Sequence, residues 1–296
     1  MRIFKTIWSG FIRSMKTWKA ILIIWIFSLV IVSLFTLLIK SALNSGFGDS
    51  VITEVLDNEF NPEILLDPGS GLKNISSYFF RGLIFLVMIF VPVNAFFTAG
   101  LFGRLRNKPE RFCTPDFFRD GAGKFWPFLL ITLMVTLMII FLLAVSVLIS
   151  AIVVSAMENP SEKTGFVAGL SIMVLFFMFL PVLILVADYS RAWQASSDEN
   201  SGFKALGQGF RNTFSRFWSS YPLVIIFLVL QLLLTWLVTS TIPGMRPTGN
   251  TGIFFLFVYS QLIFIVRAFL KAWRYASFTV MFEQIKSMEQ LRRSQN

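Results

Sequence analysis

Apolar and polar positions fall into long blocks along this chain. Six intervals carry no charged residue: 20–39, 82–103, 125–157, 164–187, 217–245 and 247–266, each 20 residues or longer. A helix rises about 1.5 Å per residue, so about 20 apolar residues cross a hydrocarbon core of roughly 30 Å. A soluble helix keeps a polar face at helical spacing, and these intervals keep none. Barrel strands would alternate apolar and polar positions over roughly 10 residues; the stretch ILIIWIFSLVIVSLFTLLI does not. The pattern predicts an all-α integral membrane fold, a single polytopic domain over 1–296. Its six transmembrane helices are expected near 20–39, 80–103, 127–154, 166–187, 221–241 and 252–271, with an outer loop at 41–77 and a cytoplasmic tail at 272–296. Leu270, Trp273, Val280, Met281, Ile285 and Met288 keep an approximate stripe, so span 6 is expected to continue into the tail as helix.

Between the apolar blocks the period changes. Residues 118–126 read FRDGAGKFW and residues 210–218 read FRNTFSRFW, one frame written twice at an offset of 92. Before span 5, Phe203, Leu206, Phe210, Phe214, Phe217 and Trp218 share a helix face, opposite Lys204, Gln208, Arg211, Asn212 and Ser215. Before span 1, Phe4, Ile7, Trp8, Phe11, Met15 and Trp18 lie opposite Arg2, Lys5, Ser9, Arg13 and Lys16. Before span 3 the helix is shorter: Thr114 suits its cap, Pro115 its first turn and Asp116 its positive end, with Phe117, Phe118, Phe125 and Trp126 as the apolar side. Basic amphipathic helices rich in Trp and Phe lie in the headgroup layer. The even spans end on a second phrase, VADYSRAW at 186–193 and VRAFLKAW at 266–273, offset by 80. The expectation is three hairpins as an internal repeat, each an interfacial amphipathic helix, a span out, an outer loop and a span back. Convergence on interface chemistry would write the same phrases, because interfaces select Trp, Tyr, Lys and Arg. The interfacial anchors under this reading are Trp18, Arg119, Trp126, Asp188, Arg191, Trp193, Arg211, Trp218, Lys271 and Trp273. Asp188 and Arg191 stand at i, i+3, where a pair forms on one helix face.

The formal net charge is +10. With the N-terminus placed in the cytoplasm, 21 of the 26 Lys and Arg fall inside, leaving Lys40, Lys73, Arg81, Lys163 and Arg246 outside. This is the positive-inside asymmetry of a multi-pass inner-membrane (plasma-membrane) protein with both termini cytoplasmic. The basic excess is therefore a topology signal toward the anionic inner leaflet, not a nucleic-acid footprint. The expected partners are membrane lipids, with a membrane protein or a second copy as a further candidate.

Neutral polar residues recur inside the spans. Asn94, Gln231 and Gln261 count to similar mid-membrane depth, and Pro92 and Pro181 interrupt helical hydrogen bonding in spans 2 and 4. Such a level serves either as interhelical glue or as a solute site. Gly165 and Gly169 form a GxxxG packing signal. Arg267 is the charge nearest a midplane, and the insertion penalty favours placing it toward the inner interface. In the outer loop, DNEFNPE resembles the start of a calcium loop, but Pro62 stands where Gly is required. Asn74-Ile75-Ser76 is a sequon. The chain has no histidine and one cysteine, Cys113, which removes His bases, Ser-His triads and cysteine zinc sites. No catalytic set, metal site or cofactor is expected.

The stretches AFFTAGLFGRL, DFFRDGAGKFW, VADYSRAW and FKALGQGFRNTFSRFW resemble uncharacterised six-helix bacterial inner-membrane proteins. These are loosely similar to the membrane domain attached to some glycerophosphodiester phosphodiesterases. The resemblance implies a bacterial inner-membrane setting; the catalytic barrel of the fused enzymes has no room in this chain. The leading functional expectation is a non-enzymatic membrane protein acting through lipid and protein packing, as an accessory or scaffold. The alternative is a permease for a neutral or lipid-like solute, using Asn94, Gln231 and Gln261.

Overall fold

The computed structural model describes residues 3–47, 70–107, 112–155, 162–241 and 249–295. Among them the regular structure is helical: α1 (Ile3–Lys16), α2 (Trp18–Phe47), α3 (Ser70–Asn107), α4 (Thr114–Gly123), α5 (Phe125–Ser155), α6 (Glu162–Ser196), α7 (Gly202–Ser215), α8 (Phe217–Thr241) and α9 (Asn250–Gln295). Six segments are long and apolar enough to cross a membrane: Trp18–Leu37, Arg81–Asn107, Phe125–Ser155, Gly165–Ser196, Phe217–Thr241 and Thr251–Met288. This is the make-up of a multi-pass membrane protein. Helix α9 runs unbroken from span 6 into the tail, burying Val280, Met281 and Ile285 of the stripe. Pro92 lies inside α3 and Pro181 inside α6, and both helices continue through them. The calcium-like run and most of the acidic outer loop lie outside the described residues.

The chain divides into two compact units, one formed by 23–94 and the other by 1–22 with 95–296. In the smaller unit Gly82 faces the ring of Phe35, where a Cβ would stand 3.0 Å from the ring edge. The larger unit holds the core. Ile131 and Val135 of α5, Val186 and Ala187 of α6, and Ala205 and Leu206 of α7 bury together, with Trp193 and Phe210 packed at their edge. A second aromatic centre joins α3, α5 and α9: Phe102 lies 4.7 Å from Tyr275 and 5.8 Å from Phe128 between ring centroids.

The three short helices pack in one manner within this unit. Helix α1 lies on the C-terminal half of α9, where a Cβ on Gly10 would stand 2.7 Å from Ser277 N. Helix α4 lies on the C-terminal half of α3, where a Cβ on Gly100 would stand 2.6 Å from Phe117 O. Helix α7 lies on the C-terminal half of α6, where a Cβ on Gly209 would stand 2.7 Å from Val186 O. Glycine permits this approach because no side chain separates the backbones. The faces buried in α1 and α7 are small but for one leucine: Thr6, Gly10 and Ser14 in the first, Gly202, Ala205, Leu206, Gly209 and Thr213 in the second. The large apolar residues Phe4, Trp8, Met15, Phe203 and Phe214 point away from the protein. A water-soluble fold buries the opposite set.

Thr114 does not cap α4. It is the first helical residue, Cys113 takes the cap position without a side-chain hydrogen bond, and Pro115 sits in the first turn. Asp116 instead accepts from Arg104 Nη1 at 3.1 Å, while Arg104 Nε and Nη2 reach Asp120 Oδ2 at 3.1 and 2.7 Å. The guanidinium fork of α3 thus holds both carboxylates of α4, a geometry that a lysine could not reproduce.

Candidate functional site

Five side chains from α6 and α9, with one from α5, form a charged cluster inside the larger unit. Asp188 is fully buried, with Arg274 Nε 3.0 Å from its Oδ2 and Arg191 Nη1 3.6 Å from its Oδ1. Arg191 also donates from Nη1 to the Tyr275 hydroxyl at 3.5 Å and from Nη2 to Thr132 Oγ1 at 3.3 Å. The Tyr275 ring carries cations around it: Arg274 at 5.2 Å, Lys271 at 5.8 Å and Arg191 at 5.9 Å from its centroid. Aromatic faces attract cations, and the attraction strengthens once water is removed. The tyrosine is itself pinned against Phe102.

Local sequence explains how these groups meet. Asp188 and Arg191 share a face of α6 at i, i+3, and Lys271, Arg274 and Tyr275 share a face of α9 at i, i+3, i+4. The Asp188 carboxylate thus stands between the guanidinium groups of Arg191 and Arg274. A buried ion costs several kcal/mol even after relaxation unless a partner offsets it. Hydrogen bonding is also incomplete: Arg191 Nε, Arg274 Nε and both Asp188 oxygens make no hydrogen bond of good geometry among the described residues. Close charge contact without aligned hydrogen bonds leaves donor directions open around both guanidinium groups.

The exit phrase pointed to Asp188, Arg191 and Lys271, but not to Arg274, Tyr275 or Thr132. Continuing VRAFLKAW by two residues to its Arg-Tyr would have found the first two, since they sit one turn past Lys271. The other expected anchors divide. Trp18, Trp126 and Trp218 are exposed at 53%, 74% and 87%. Arg119 is exposed and pairs with Asp116 at 3.0 Å, and Arg211 is exposed. Trp193 is half-buried against the α5–α6–α7 core. Trp273 sits in a helix seam: its indole donates to Ile7 O at 2.9 Å and its ring meets Phe11 and Phe227 at 5.1 and 5.3 Å.

Gln231 and Gln261 stand on the adjoining helices α8 and α9. Thr241 bonds Tyr259 at 2.6 Å, Arg267 donates to Thr235 at 3.3 Å and Phe227 meets Trp273 edge-on. This antiparallel register puts Gln261 beside the last turn of α8 and Gln231 roughly eight or nine residues lower, about 13 Å along the axis. Asn94 belongs to the smaller unit. Gly165 and Gly169 meet nothing within 4 Å.

At the far end of α6 the backbone is capped by Arg106 from α3 and by Lys124 from the junction between α4 and α5. Lys124 Nζ donates to the carbonyls of Gln194, Ala195 and Ser197 at 2.7, 3.1 and 2.7 Å, and Arg106 Nη1 to Ala195 O at 2.6 Å. Cations belong at a helix C-terminus, where unsatisfied carbonyls concentrate negative charge. Burial, joined by the neighbouring Arg106 charge, holds the Lys124 ammonium below the usual lysine value. No group of three or more metal-ligating side chains occurs among the described residues. Comparison with protein-family models, with curated proteins and with solved structures finds no match for this chain.

Proposed function

We propose that this chain is a six-span inner-membrane protein that works through packing, holding lipids or other membrane proteins as an accessory or scaffold. The observation that carries the reading is the reversed exposure of α1 and α7, which bury small residues and present Phe and Trp outward. Such faces suit the headgroup layer. The three glycine contacts, α1 on α9, α4 on α3 and α7 on α6, support a threefold internal repeat in which each short helix docks on an even-numbered span. A cleft of about 620 Å³ between α5, α6 and α7, lined by Met138, Phe141, Phe179, Leu183, Phe210 and Phe214, has the width and apolarity that an acyl chain fills. Positive-inside charge puts both termini and the buried cluster toward the cytoplasm.

The test is isolation in native lipid discs without detergent, followed by identification of co-isolated lipids and proteins and by flux and turnover assays. Retention of a defined lipid or a stoichiometric membrane protein, lost when Phe210 and Phe214 are replaced by Ser, is the expected result. Saturable solute flux in liposomes, or catalytic turnover by the isolated chain, refutes it.

A further inference from the structure

Arg106 and Lys124 come from different elements and meet on one atom. Arg106 Nη1 and Lys124 Nζ both donate to Ala195 O, at 2.6 and 3.1 Å. Two cations that share one acceptor stand close together and repel, and a helix C-terminus supplies only part of a negative charge. The carboxylates of α4 are engaged elsewhere: Asp120 holds Arg104 at 2.7 Å, and Asp116 holds Arg104 and Arg119 at 3.1 and 3.0 Å. A cleft of about 270 Å³ opens beside the two cations, lined by Arg106, Asn107, Arg119, Lys124, Asp198 and Asn200. Asp120 also lines it. Three cations against two carboxylates, one of them held by Arg104, leave the cleft net positive.

Donors remain open there. Lys124 commits its three N–H groups to carbonyls and so offers the cleft charge alone. Arg106 commits one of its five N–H groups, to Ala195 O. Arg119 is exposed and meets Asp116 through Nη2. Two guanidinium forks beside an ammonium are the donor set that suits a tetrahedral oxyanion, because each fork takes two oxygens at once. Asp198 is exposed on the same cleft and works against any anion, so the ligand needs more than one negative charge to gain from the site.

We propose that the cleft between Arg106, Arg119 and Lys124 binds a dianionic phosphate group. It lies where α3 and α6 end and α4 meets α5, at helix ends and not along a span face, so the phosphate of a soluble compound and that of a lipid headgroup can both enter. The proposal adds a ligand to the chain and does not depend on the packing role.

The experiment uses the full chain purified in a neutral detergent. Inorganic phosphate, short-chain phosphatidic acid and short-chain phosphatidylcholine are titrated separately at constant ionic strength, with chloride as the reference anion. Binding is read by calorimetry and by thermal shift. The expected result is saturable binding of inorganic phosphate or of phosphatidic acid, and none of phosphatidylcholine. A response to inorganic phosphate makes the source soluble, and a response to phosphatidic acid alone makes it a lipid. Arg106→Gln weakens the binding by about tenfold, the effect of one charge-assisted contact. Arg119→Gln, at an exposed position, weakens it by about threefold. Lys286→Gln, which removes a charge on α9 outside the cleft, leaves it unchanged. Phosphate and phosphatidic acid no better than chloride, or affinity unaltered in Arg119→Gln, overturns the proposal. Should Arg106→Gln fail to fold, Arg119→Gln decides. A folded chain that binds neither phosphate compound overturns this site and leaves the packing reading standing.

Discussion

Replacing Asp188 by Asn removes the carboxylate that contacts Arg191 and Arg274 while keeping its size. At an effective dielectric constant near 20, a contact of 3.0 Å between unit charges is worth about 5 kcal/mol gross and one of 3.6 Å slightly less. Most of that offsets the desolvation of the three ions, so the attraction itself is not the loss that an unfolding experiment reads. The loss is the penalty of leaving buried cations uncompensated, about 3–5 kcal/mol for a pair broken on one side. Melting temperatures of chains this long fall by roughly 2–4 °C per kcal/mol, so Asp188→Asn is expected to melt roughly 10 °C lower. The assay is thermal unfolding of purified protein in mild detergent, followed by circular dichroism. Arg274→Met in the same background removes one of the stranded cations and should restore at least half of the loss, because replacing both partners is far milder than removing one. A single variant that melts within about 2 °C of the parent, or a double variant that is worse than the single, refutes the reasoning.

Other consequences can be checked separately. On α7, Gly209→Ala should destabilise by about 1–3 kcal/mol, since its Cβ would collide with Val186 O, whereas Gly207→Ala, which meets nothing within 4 Å, should be neutral or gain up to about 1 kcal/mol; chemical denaturation in detergent separates the two. Lys124→Met strips three carbonyls at the end of α6 and should lower stability by about 1.5–3 kcal/mol. Because the folded Lys124 loses its proton below the unfolded value of 10.5, the unfolded chain binds more protons between the two, and this group makes stability rise with pH across that window. The rise should vanish in Lys124→Met, and a parallel pH profile would contradict it. Exposed Cys113 should react with a membrane-impermeant maleimide only after the inner face is opened, and labelling of intact cells would invert the orientation.

The spans were legible because hydrocarbon tolerates no periodic charge, so absence of charge over about 20 residues is itself the signal. The short helices α1 and α7 were marked in the sequence by aromatic residues, Phe4, Trp8, Phe203 and Phe214, that the structure leaves exposed. Their docking faces were harder to see, because Thr6, Gly10 and Ser14 read as polar filler in a sequence where packing depends on small side chains. Half of the charged cluster was visible as a local i, i+3 pair. The rest was hidden because Arg274 lies 86 positions from Asp188, and nothing local announces which charges a bundle will bring together. Helix register, too, is set by contacts such as Thr235 with Arg267, which no local pattern announces.

The seam between α1 and α9 joins positions 266 residues apart, from Ile7 to Trp273. At synthesis rates of about 5–20 residues per second, the first helix emerges from the ribosome roughly 13–50 s before its partner exists. Until then the nascent N-terminal segment cannot make this contact, so the seam closes only after α9 has been made. A chain interrupted before Ser277 would carry a bare groove-facing glycine at its start, a mark by which quality control could distinguish unfinished copies from complete ones.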